Sequence, residues 1–138
     1  MNWIVAQMKW IMVVSGALTF SMIYAAIAPQ AALQSTFGAS LEGPLAEIIV
    51  RNWGVLIALV GAMLLYGAYQ PTSRPLILTL ASAGKLTFIT LVLLYGTQYL
   101  GRQAGMVILI DLVMVSLYLG YLVSINRSRK SALESNLP

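Results

Sequence analysis

Long apolar runs separated by short polar breaks set the pattern of this chain. Four of them approach the roughly 20 residues that cross a bilayer as a helix. They are Trp10 to Ala28, Trp53 to Tyr69, Leu76 to Tyr95 and Met106 to Ile125. The second begins earlier on local grounds, because Pro44 suits a first helical turn and Leu45, Ile48 and Ile49 lead into the run. The pattern predicts helices over about 10–28, 44–69, 76–95 and 106–125. They would form an all-α, membrane-embedded, up-and-down four-helix bundle over residues 1–126, leaving 127–138 as a polar, basic tail.

The breaks between the runs are uneven. Gln70 to Pro75 holds two prolines in a tight reversal, and Gly96 to Gly105 links the last two helices. The first connection, Pro29 to Gly43, is longer and carries Phe37, Gly38 and Glu42, with room for a short interfacial helix or a cap on one end of the bundle. Lys9 before the first run and the pair Ala26 and Ala28 at its end resemble a signal peptide. Pro29 directly after that pair disfavours cleavage, and the run exceeds the usual apolar core of such a peptide, so a retained helix is expected.

Composition narrows the class further. Of 138 residues, 59% are hydrophobic and 9% charged, too little polar surface for a domain that faces water on all sides. The absence of cysteine excludes disulfides, thiol redox relays, iron–sulfur clusters and thiolate metal sites. Histidine is absent as well, which removes the usual haem ligands, most zinc sites and the commonest acid–base residue. Any chemistry falls to Asp, Glu, Lys, Arg and Tyr.

The net charge of +4 bears on topology. Arg127, Arg129 and Lys130 follow the last apolar run directly, where orientation signals belong, and no basic stripe with interleaved aromatics points to nucleic acid. Across the four spans, one side collects Lys9, Arg74, Arg127, Arg129 and Lys130, the other only Arg51 and Arg102 with Glu42 and Glu47 nearby. The richer side is expected to be cytosolic, which puts both termini in the cytosol of a bacterial inner membrane. Trp3, Trp10, Tyr66, Tyr69 and Tyr121 on that side, and Trp53, Tyr95 and Tyr99 on the other, suit interfacial belts.

Two ionisable residues fall inside the spans, Lys85 and Asp111. A charge in the hydrocarbon costs on the order of 2.5 to 3.5 kcal/mol on insertion, so such residues face the bundle interior and find a partner. Opposite signs on consecutive antiparallel helices make these two partners for each other. At 1.5 Å per residue, Asp111 lies roughly 8 Å and Lys85 roughly 15 Å below the outer interface, a gap that a lysine stem largely closes. Arg51, one turn after Glu47, adds a second pair in the same leaflet. Glu47, Arg51, Lys85 and Asp111 are therefore the candidate ligand-binding residues of an outward-opening pocket. A register-fixing ion pair with Arg51 as an interfacial anchor accounts for the same residues, and both readings stay open.

Small residues repeat every fourth position, as Ala17, Ser21 and Ala25 in the first helix and Gly54, Ala58 and Ala62 in the second. This spacing predicts a close helix contact, more naturally inside the bundle than as a dimer seam.

Several of these residues together carry a likeness. Ala28-Pro29 ending the first helix, Phe37-Gly38 in the loop, Arg51-Asn-Trp-Gly54 followed by Gly61, Gly84-Lys85 in the third helix and an acid in the fourth resemble the DoxX-like and BphX-like small membrane proteins. The likeness runs from about Trp10 to Ser124. It implies an up-and-down four-helix membrane bundle; some distant relatives are membrane subunits of thiosulfate:quinone oxidoreductase, and others resemble accessory proteins encoded beside catabolic enzymes or assisting other membrane proteins. Members often have Arg in the third helix and Glu in the fourth, where this chain has Lys85 and Asp111, so a role that needs a forked guanidinium is not carried over.

Three functions fit these features. The first is a binding subunit whose outer pocket takes a lipophilic small molecule such as a quinone, within a redox or catabolic system. The second is a non-catalytic accessory or assembly protein for a larger membrane partner or a homo-oligomer. The third is a small transporter, weakened because the first apolar run has no ionisable residue to couple protons. No nucleophile–base pair, phosphate loop or metal cluster supports catalysis by the chain alone.

Overall fold

The computed structural model describes residues 2–137. Six α-helices follow in order: α1 (Trp3–Phe20), α2 (Ile23–Ile27), α3 (Pro29–Phe37), α4 (Pro44–Tyr69), α5 (Arg74–Tyr95) and α6 (Gln103–Ser135). With α1 and α2 counted as one broken span, four segments are long and apolar enough to cross a membrane. No strand occurs among the described residues, and the protein is an all-α integral membrane bundle.

The four long segments close a ring in which α4 packs between α1 and α5, and α6 packs between α5 and α1. Asn2 Nδ2 donates to Ser124 Oγ at 2.7 Å, so the chain starts beside the later part of α6, and we call this the terminal end. Lys9 Nζ lies 4.7 Å from the Tyr69 ring at the same end. At the opposite, loop end, α3 packs against α2, α4 and α6. The short helix anticipated in the first connection is therefore a cap on the bundle. Gly38 ends it with φ 67°, the left-handed conformation that glycine adopts without a Cβ clash.

Helix limits differ from the apolar runs at both ends of the chain. α1 begins at Trp3, and Asn2 caps it by accepting a hydrogen bond from the Ile4 N–H. α6 continues through the basic segment to Ser135, so the residues after Ile125 extend a transmembrane helix. Residues such as Leu56, Leu59, Leu80, Leu94, Leu109 and Val113 cover the outer faces and stay exposed, as helix sides that contact lipid do. The interior is filled by Met8, Met12, Leu64, Leu78 and Tyr118, all fully buried.

The closest helix contact is the seam of α4 with α1 and α2. A Cβ on Gly61 would collide with the Phe20 backbone nitrogen, and one on Gly54 would lie 2.7 Å from the Ala26 nitrogen. Gly54 and Ala58 are buried here as the spacing predicts, but Ala62, Ala17 and Ser21 are exposed and Gly61 and Gly16 take their place. Four residues overshoot a full helical turn by about 40°, so a third member at that spacing rotates off the face, whereas seven residues drift only about 20°. On the partner strand the repeat also crosses a break. Met22, Tyr24 and Ala25 donate to carbonyls three residues back, a 3₁₀-type tightening that separates α1 from α2.

Candidate functional site

On α5 the buried positions Leu78, Ala81, Ser82, Ile89 and Val92 recur at three- and four-residue steps, and Lys85 continues that stripe. On α6 the stripe is Ala104, Ile108, Asp111, Val115 and Tyr118. The two stripes face each other, and Lys85 Nζ donates to Asp111 Oδ1 at 2.5 Å. Both side chains are only 11% exposed. Two opposite charges held this way neutralise each other where either alone would be stranded in a low-dielectric interior.

Arg51 and Glu47 occupy a different place. They are one turn apart on α4, with Arg51 Nη2 3.7 Å from Glu47 Oε2 and side chains 46% and 50% exposed. Arg51 Nη1 also donates to the Ala26 carbonyl at 2.5 Å and to the Ile27 carbonyl at 3.4 Å. These carbonyls end α2, where the chain turns at Ala28 into Pro29, so Arg51 satisfies acceptors that the helix break leaves without an intrahelical donor. Arg74 does the same at the other end of the bundle, donating to the Gly67 and Ala68 carbonyls near the end of α4. Among the described residues, neither Arg51 nor Glu47 bonds to Lys85 or Asp111. The four candidates thus divide into a helix-capping pair and an interhelical ion pair.

A cleft of about 220 Å³ opens between α3, α4 and α5, lined by Leu33, Phe37, Ile49, Val50, Trp53 and Phe88. Phe37 anchors it. Its ring lies 6.3 Å from that of Trp53 and meets Tyr99 edge-on at 5.4 Å. Phe88 stands one turn beyond Lys85 on α5, while Lys85 and Asp111 themselves do not line the cleft. A larger hollow of about 550 Å³ follows Val123, Asn126, Arg127, Arg129, Lys130 and Leu133, all on α6. With no second element to close it, this is helix surface.

Sequence reasoning missed the hydroxyl groups of the interior. Tyr118 donates to Ser15 Oγ at 2.6 Å across the α1–α6 contact. Thr19 Oγ1 and Ser82 Oγ are buried with no hydrogen-bond partner. Nothing in composition separates these hydroxyls from lipid-facing ones; only their phase on the buried stripes does. The apolar cleft was equally silent, because its walls come from three helices.

Comparison with family models, with curated proteins and with solved structures gives no match to this chain.

Proposed function

We propose that this protein binds a lipophilic small molecule, such as a quinone, in the cleft between α3, α4 and α5, with the Lys85–Asp111 pair as the polar group beside it. The observation that carries the reading is the cleft itself: six apolar residues with three aromatic rings, one helical turn from a buried ion pair. Ligand sites combine apolar walls with a few fixed polar groups in this way. On this reading Arg51 and Glu47 are positioning residues, since Arg51 ties α2 to the stretch of α4 that carries Ile49, Val50 and Trp53. The resemblance to DoxX-like and BphX-like proteins, whose distant relatives include quinone-linked subunits, points the same way. The excess of Lys and Arg at the terminal end supports an orientation with both termini in the cytosol of a bacterial inner membrane.

The test uses Trp53 as its reporter. In a Trp3→Phe, Trp10→Phe background Trp53 is the only tryptophan, and a short-chain quinone added to the protein in nanodiscs should quench it saturably. Ile49→Phe, which fills the cleft, should weaken that quenching at least about tenfold. Non-saturable quenching that is identical in the filled variant would remove the cleft as a binding site.

The helical extension of α6 favours a second reading. Arg127, Arg129 and Lys130 are exposed on the helical extension that follows the last apolar run, as an accessory protein contacting a larger partner would present them.

A further inference from the structure

Serine and threonine hydroxyls inside membrane helices ordinarily return to their own backbone. Thr79, Thr87, Thr90, Ser116 and Ser124 all do so, each donating to the carbonyl four residues back. Thr19 and Ser82 do not, although they are only 7% and 3% exposed. A buried hydroxyl without a partner is costly, and two in one small bundle call for a common cause.

Their levels in the bundle agree. Thr19 precedes Phe20, whose backbone faces Gly61 of α4, and Gly67 of α4 faces Ile77 of α5. Because α4 and α5 are antiparallel, stepping equally along both from the Gly67–Ile77 contact brings α4 to Gly61 and α5 to Ala83. Thr19 and Ser82 therefore lie at one depth, on helices that stand diagonally across the ring, each on the buried side of its helix. Ser82 is also one turn from Lys85, whose partner Asp111 uses Oδ1 for the lysine and has acceptor capacity left over.

We propose that the bundle interior binds one water molecule between Thr19 and Ser82, shared with the Asp111 carboxylate. Thr19, Ser82 and the remaining acceptor capacity of Asp111 would give it three partners, the number a buried water ordinarily satisfies. The water answers both hydroxyls at once and hydrates the ion pair from within, so that the charges are not enclosed by apolar groups alone. It also extends the polar interior from the Lys85–Asp111 pair toward Ser15, one turn before Thr19, and its partner Tyr118.

The sign of two mild substitutions tests this. If the hydroxyls are true orphans, replacing them with apolar isosteres relieves a penalty; if they hold water, the replacement strands it. Thr19→Val and Ser82→Ala, measured in lipid nanodiscs, should each lower the melting temperature by about 3 °C. The double variant should fall no further, because both lose the same molecule. A raised or unchanged melting temperature in either single variant, or additive losses, would overturn the proposal. Solid-state NMR of the protein in bilayers reads the same point without relying on stability. Magnetisation should pass from water to the Thr19 and Ser82 side chains, and the transfer at Ser82 should vanish in Thr19→Val. Absence of transfer at both residues in the unaltered protein, or its persistence at Ser82 in the variant, would contradict a shared water.

Discussion

Two seams hold this bundle together by different means. Where α4 meets α1 and α2, glycines let backbones touch, and the associated charges, Glu47 and Arg51, stay half-exposed at the rim. Where α5 meets α6, the contact runs through side chains, and its charges, Lys85 and Asp111, are enclosed. Both seams carry one acid and one base within 4 Å, yet the environments assign them different work. An exposed pair on one helix gains little from Coulomb attraction, so the value of Arg51 lies in the carbonyls it caps. A buried pair gains little net free energy from being there, but losing one member leaves an uncompensated charge.

The largest effect expected from this contrast is at the buried pair. Lys85→Met and Asp111→Leu should each cost roughly 3 to 5 kcal/mol of stability, and the double variant should recover much of that loss. Thermal unfolding of the four proteins checks it; strictly additive losses would show that the two charges do not support each other. On the other seam, Gly61→Leu should cost about 1 to 3 kcal/mol or more, since its side chain would have to displace the Phe20 backbone. Ala62→Leu beside it should be near neutral, and equal effects in the two variants would place the wrong face of α4 against α1.

The same contrast shows what the chain disclosed in advance. Four apolar runs reveal four spans because the hydrocarbon admits little else, and Lys85 and Asp111 reveal each other because an unpaired charge there is so costly. The phase of the glycine seam was not legible: it depends on drift along α4 and on the break at Ser21 and Met22, where no proline or glycine marks the turn. The partners of Arg51 were hidden for a related reason. Its acceptors are created by the turn into Pro29, and only the packing of α2 on α4 brings them within reach. Pro29 was the available signal, since a proline directly after an apolar run announces carbonyls that will need another donor.

Smaller effects sharpen the division at the rim. Arg51→Met removes a charged donor from the end of α2 and should cost about 1.5 to 3 kcal/mol. Glu47→Gln should change stability by less than about 1 kcal/mol, because a half-exposed pair on one helix contributes little. Chemical denaturation of both variants makes the comparison, and equal losses would mean that the ion pair, not the capping, is what Arg51 provides.

On the proposed reading, the buried pair serves a ligand in the neighbouring cleft as well as fastening α5 to α6. The most direct measurement is quinone affinity in the Lys85→Met, Asp111→Leu double variant, in the background where Trp53 reports binding. That variant is expected to keep its fold and its apolar cleft while losing the polar neighbour. The expected result is a dissociation constant raised at least about tenfold with the melting temperature largely restored. An unchanged dissociation constant in a well-folded double variant would contradict it and leave the pair as a fastener alone.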